Sequence, residues 1–250
     1  MRSFLVLLVC IAVSSNLFSQ SDKYTEALKL KEASNYKEAF PAFQALIKSD
    51  STNPNYLAQG SQVCTRYAYL YLSKENQKQE YYQLASQMAQ KAIGIKEDNA
   101  EAHFAYCLAL GRISEKANNK MKISNAKLIK KEIDRTIELN PKITNAYHIL
   151  GRWHSVISGF SKAQKRVINK FYGGVPVGAS FDEAIKAYKM AIVLAPNTVL
   201  HHYEISQAYY DMGNKSEAKS CLEKAVLMTV VTDEDKINID KCKKLLKKVK

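Results

Sequence analysis

Apolar residues recur at three- and four-residue spacing through most of the chain, the period of an amphipathic helix. One phrase returns three times: SNYKEAFPAFQALIKSDSTNP, then SFDEAIKAYKMAIVLAP, then GNKSEAKSCLEKAVLM. Each holds a turn, a Glu-Ala pair, a large side chain about one helical turn later and a further apolar position. Aligned on Ala39, Ala184 and Ala218, the phrases superpose Phe43, Tyr188 and Leu222, then Leu46, Ala191 and Ala225. Segments around Ala85 and Ile129 fit more loosely. A small residue at a helix crossing lets two backbones approach, and the bulky residue one turn on fills the adjoining groove. The pattern predicts the second helices of a tetratricopeptide-like repeat, a helix–turn–helix unit of about 34 residues.

The first helices of the units are also visible. ITNAYHILGRWH places Leu150-Gly151 at the repeat's Leu-Gly position, and TVLHHYEISQAYYDMGN places Ile205-Ser206 there, with Tyr209 following. NAEAHFAYCLALG supplies Tyr106, Cys107 and Leu110, and YTEALKLKEASNY supplies Ala27. The count comes to four or five repeats, the second and third with lengthened inter-helix segments. Pro141 and Pro196 stop the helices they follow. The end of the chain, 233–250, reads as a capping helix that seals the last repeat. Thr232 and Asp235 form its capping box, and Ile239, Cys242, Leu246 and Val249 its apolar stripe.

FYGGVPVGASFDEA interrupts this regularity. It falls between two halves of one repeat, where a short turn belongs, so 159–179 is an insertion. Gly173-Gly174 ends an inserted helix and Pro176 blocks its resumption. Ser180 caps the next helix, with Glu183 at the capping-box position. Phe160, Ala163, Val167, Ile168 and Phe171 line one side of the inserted helix, and Lys162, Lys165, Arg166 and Lys170 the rest.

The fold class is therefore all-α: a tetratricopeptide-like solenoid with an internal helical insertion and a C-terminal capping helix. Composition agrees, since Gly and Pro number only 9 and 5 in 250 residues. The opening MRSFLVLLVCIAVSSNLFSQ departs from it, with Arg2, an apolar run from Phe4 to Val13, then small polar residues. That is the layout of an export signal, 1–19, with cleavage after Ser15 or Ser19 and a repeat domain over 20–250. A retained anchor, or lipid attachment at Cys10, are the alternatives. Export points to a periplasmic or secreted protein. Cys64, Cys107, Cys221 and Cys242 lack metal-site spacing; they read as small buried side chains, with a Cys221–Cys242 bridge as the alternative.

The net charge of +13 favours acidic partners, anionic lipid or acidic protein, and export argues against nucleic acid. A solvated lysine surface explains it equally well. Phosphate-loop, nucleophile-elbow and zinc-protease motifs are absent, so no catalysis, cofactor or metal is expected. The five histidines are His103, His148, His154, His201 and His202; His148 and His154 are six apart and so do not share a helix face as metal ligands four apart would. A groove lined by the first helices is the candidate site. Its residues are Phe104, Arg112, Asn145, His148, Arg152, Tyr203, Gln207, Tyr210 and Asp211, several of which alternatively pack against the inserted helix. Trp153 reads as core.

The run LGRWHSVISGFSKAQKRVINKFYGGVPVGASFDEA, with LMTVVTDEDKINIDKCKKL near the end, resembles the regulator of microtubule dynamics family. The resemblance covers roughly 80–250 and implies a helical-repeat protein without catalysis. Its animal members associate with microtubules or organelle membranes, and a repeat domain in the family has been linked to phospholipid binding and transfer. Those members have their own N-terminal targeting or membrane segments, whereas this chain opens on an export-type leader. The leading expectation is a non-enzymatic binding protein that holds a peptide or protein segment in its groove. The alternatives are a phospholipid-binding module with 160–172 as lid or membrane-facing helix, and an envelope scaffold whose groove the insertion fills.

Overall fold

A computed structural model describes residues 20–249. The expected leader over 1–19, with Cys10, lies outside the described residues. Among the described residues twelve helices follow one another: α1 (20–32), α2 (Tyr36–Ser49), α3 (Pro54–Tyr71), α4 (Glu75–Ile95), α5 (Ala100–Lys116) and α6 (Asn119–Leu139). Then come α7 (Thr144–Ser158), α8 (Lys162–Phe171), α9 (Phe181–Leu194), α10 (Val199–Asp211), α11 (Lys215–Ala225) and α12 (Asp233–Leu246). In chain order α1/α2, α3/α4, α5/α6, α7/α9 and α10/α11 are helix–turn–helix pairs, with α8 inserted in the fourth. The fold is all-α and tetratricopeptide-like.

The aligned positions behave as one set. Ala39, Ala184 and Ala218 are fully buried, and so, to within a few per cent, are Phe43, Tyr188, Leu222, Leu46, Ala191 and Ala225. The second and third repeats differ from expectation in one respect. Their helices are long, and their turns are short: α3, α4 and α6 run for 18, 21 and 21 residues. No proline and only Gly60 and Gly94 interrupt 55–95, so nothing stops the helices earlier.

The described residues divide into two compact units, up to Ala105 and from Tyr106 on. In the first, α3 packs on α2 and α4. Ser61 takes the small position, and its hydroxyl donates to the Ala85 carbonyl at 2.7 Å, tying α3 to α4. Leu57, Ala58, Ala92 and Ala102 form a core cluster with Ile47, Met88 and Ile93 at its margin.

In the second unit, α7 packs on α9, α9 on α10 and α10 on α11 and α12. Gly151 lies so close to Tyr188 that a Cβ there would meet its ring at 2.6, 2.7 and 2.9 Å. The ring is fully buried and cannot step aside. Gly151→Ala is therefore expected to lose about 1–3 kcal/mol by overpacking, read as a lower urea midpoint at unchanged slope.

The capping helix starts as expected, with Asp235 N–H on Thr232 Oγ1 at 3.1 Å and Thr232 N–H on Asp235 Oδ2 at 2.9 Å. Its buried stripe is Ile239, Cys242, Leu245 and Val249, with Leu246 at the margin rather than in the stripe. Positions three and four after Cys242 flank the same stripe, and packing chooses between them. All four described cysteines are free. Cys242 faces the α10–α12 cluster and Cys221 the α9–α10 cluster, which separates the suggested pair. Burial pushes the Cys64 thiol up to about 12 and the Cys242 thiol to about 11, so both are poor nucleophiles.

Candidate functional site

Helices α7 and α10 carry seven of the nine expected groove residues. Arg152 projects from α7, half exposed, and its Nη1 donates to Glu204 Oε1 on α10 at 3.2 Å. Glu204 is buried, and its other oxygen accepts from the Tyr188 hydroxyl at 3.4 Å. The Glu204 charge raises the pKa of Arg152, so the guanidinium is a permanent cation fixed by a buried anion. Neither Glu204 nor Tyr188 was among the sequence candidates. The one available signal was a lone carboxylate interrupting the apolar phase of α10.

The other candidates separate. Tyr203 is half-buried, with Lys241 Nζ 5.6 Å from its ring centroid. Gln207 Nε2 donates to Asp211 Oδ1 at 2.8 Å, on the exposed side of α10. Tyr210 is half-buried against the α10–α12 cluster. His148 turns inward instead, its ring centroid 6.1 Å from Tyr188 and 5.5 Å from His201. Asn145 is half-buried at the start of α7. Arg112, on α5, pairs with Glu115 at 3.0 Å. Phe104 is a core residue, 4% exposed, and not a groove residue. Residues 102–107 of α5 are all buried, which leaves that stretch no open face.

Trp153 is core, as expected, and its indole N–H donates to the Ala126 carbonyl at 2.7 Å. Beside it, His154 is buried, and its Nδ1 makes no hydrogen bond. Burial lowers its pKa from the ordinary 6.5, and Lys130 adds to the effect, against Glu183 and Asp134. The unfolded chain therefore takes up this proton at a higher pH than the folded one. Stability contributed by the neutral imidazole is whole above pH 6.5 and falls as the pH drops below it. His154→Gln should flatten the acid side of a plot of unfolding free energy against pH from about 6.5 to 5.

The insertion forms a helix with both ends specified. Gln164 N–H bonds Ser161 Oγ at 3.2 Å and Gln164 Oε1 accepts from Ser161 N–H at 2.8 Å, a complete capping box legible as Ser-x-x-Gln. At the other end Gly173 and Gly174 take φ of +72° and +85°, a left-handed turn that side chains with a Cβ resist. Lys127 Nζ holds the Gly173 carbonyl at 2.6 Å. Ser180 caps α9 at 3.1 Å, but the Glu183 carboxylate goes to Lys186 at 2.6 Å instead of completing a box. Of the expected apolar side of α8, only Ile168 is buried. Phe160 is half-buried, while Ala163, Val167 and Phe171 are exposed, Phe171 to 64%. Lys162, Lys165, Arg166 and Lys170 are all exposed.

Among the described residues no three His, Cys, Asp or Glu side chains are grouped to hold a metal ion. No described helix is long and apolar enough to cross a membrane.

The sequence profile of the family described as Regulator of microtubule dynamics protein 1-3 matches residues 17–250. Regulator of microtubule dynamics protein 1 of Bos taurus is 29% identical over 165 residues, covering 66% of this chain and 51% of that protein. The protein of the same name from Mus musculus is 26% identical over 196 residues, covering 78% and 64%. The chain thus spans about half to two thirds of the length of these relatives. Among solved structures, a thermophilic TPR protein in Thermus thermophilus superposes with a TM-score of 0.63 at 12% identity. It covers 89% of this chain and 98% of its own, a likeness of fold.

Proposed function

Because this chain belongs to the regulator of microtubule dynamics protein 1–3 family, we propose that it is a non-enzymatic scaffold holding a peptide or protein partner on the inner face of α7 and α10. The observation that carries this reading is the Arg152–Glu204 pair. A half-exposed guanidinium anchored at 3.2 Å by a buried carboxylate is oriented before any partner arrives. Tyr203 and Tyr210 flank the same helix face and add rigid amphipathic rings, the side chains that with Arg dominate binding hot spots. A photo-crosslinking residue at Gln207 in the full chain captures the partner. Arg152→Ala, Tyr203→Ala and Tyr210→Ala are each expected to weaken capture by about 2 kcal/mol, roughly thirtyfold. Capture unchanged in all three would overturn the reading. It also takes 1–19 as an export leader, with the protein acting in the periplasm or outside the cell. Sequencing the mature N-terminus checks this, with Gln20 expected first.

One observation favours a second reading, phospholipid binding through α8. The helix leaves Val167 and Phe171 exposed, with Val177 beyond it at 92%, beside four basic side chains. Such a helix can lie in an anionic bilayer surface, apolar side down. Flotation with vesicles containing phosphatidylglycerol at low salt should carry the chain, and Phe171→Asp should release it. Failure to float even at low salt would remove this reading.

A further inference from the structure

Two imidazoles meet where α7, α9 and α10 pack together. His148 of α7 and His201 of α10 have ring centroids 5.5 Å apart, and the Tyr188 ring of α9 lies 6.1 Å from that of His148. His201 is 1% exposed and His148 half-buried, so a charge placed on either ring has little water to screen it. Arg152 follows His148 by four residues and Glu204 follows His201 by three, which stacks the ion pair about one helical turn along from the imidazoles. Tyr188 spans both levels, its ring beside His148 and its hydroxyl on Glu204. Of the charges on neighbouring helices, Lys130 and Asp134 of α6 and Glu183 of α9 act on His154, and Lys241 of α12 lies over Tyr203. Glu217 and Lys224 of α11 act on Cys221, and Glu115 of α5 adds to the field at Arg152.

Imidazole is the side chain whose ordinary charge change falls between about pH 8 and 5. Two imidazolium rings at this separation repel, so the pair takes up one proton well before a second. That proton places a cation one turn from Glu204, inside the protein. Its pull on the carboxylate is of the same order as that of Arg152 at 3.2 Å. One carboxylate then faces two cations. Arg152 is the one that gives way, because its side chain is 54% exposed and regains water on leaving, whereas a ring held in the helix contact does not.

We infer that His148 and His201 are a proton-operated switch on the Arg152–Glu204 contact: neutral imidazoles leave Arg152 fixed, and one proton on the pair frees it in acid. This rests on the partner-binding reading above and adds the regulation of that same site, a partner held at about pH 7.5 and released at about pH 5.5.

The first test needs no partner. The full chain, labelled with nitrogen-15 in arginine and carbon-13 in histidine, is titrated by NMR from about pH 8 to about pH 5. The Arg152 Nε–H resonance is expected to move with the same midpoint as the ring carbons of His148 and His201. In His148→Gln, and in His201→Gln, that midpoint should shift by about half a pH unit or more, since the surviving ring has lost its neighbour. In the double variant the resonance should stay still. His154→Gln, an imidazole outside the pair, should leave the Arg152 titration as it is. The inference is overturned if the Arg152 resonance does not move in the parent, if it moves equally in the double variant, if neither single variant changes the midpoint, or if the chain unfolds before it moves. Capture at Gln207 should fall by about fivefold or more from pH 7.5 to 5.5 in the parent, following the fraction in which Arg152 is held, and less than about twofold in the double variant. Capture that depends on Arg152 but not on pH removes the inference and leaves the partner-binding reading standing. An Arg152 resonance that titrates with the pair while capture ignores Arg152 sustains the switch and removes that reading.

Discussion

Replacing Leu222 with alanine is expected to lower stability by about 3–5 kcal/mol, the upper range for a buried leucine. Leu222 is fully buried among Val199 of α10, Ala218 and Ala225 of α11, and Ile239, Cys242 and Leu245 of α12. Two of these neighbours are already alanines and have nothing to extend into the space. The cavity therefore stays open, and the lost contacts add to the lost transfer free energy. Because α12 leans on the same side chain, its amides should exchange fastest in the variant, before those of α7 and α9. Urea unfolding combined with hydrogen exchange reads both effects. A loss under about 1 kcal/mol would mean that the cluster collapses around the gap.

Tyr188→Ala is expected to cost a similar amount, about 3–5 kcal/mol as for other large aromatic truncations. The ring is fully buried between α7 and α10, against Gly151 on one side and the Glu204 carboxylate on the other. Tyr188→Phe separates the two roles. It keeps the packing and removes only a long hydrogen bond of 3.4 Å, so a loss of about 0.5–1.5 kcal/mol is expected. Burial and the Glu204 charge hold the phenol well above its ordinary pKa, so the hydroxyl stays a donor across the accessible pH range. The double variant Gly151→Ala with Tyr188→Ala should be less damaging than the sum of its parts, since the added methyl group enters space the ring has left. Additive losses would show that the two positions do not share that space.

The repeat was legible because its physical cause is local and recurs. Close helix crossings need a small residue, and Ala39, Ala184 and Ala218 mark them in sequence as they do in space. Capping boxes are equally local, and Thr232 with Asp235 shows it. Errors entered where two positions satisfy the same period. Leu245 and Leu246 both fit the stripe of α12, and only contact with α10 and α11 selects Leu245. Phe104 fits a groove only by a phase carried from α7 and α10, and α5 has no open face at that level.

Much less of the candidate sites could be read in advance. Arg152 was found, but Glu204, 52 residues further on, is what orients it. His148 and His201 meet across α7 and α10, and no period in the chain links them. By itself, then, the sequence determined the all-α repeat, the small positions at its helix crossings, the inserted helix and the cap of α12, since each follows from neighbours within about a turn. The tertiary structure alone decided which polar groups are buried together, which carboxylate holds which cation and which side of α8 remains open. Those depend on facing surfaces of separate helices, and charge and burial act there through distance in space.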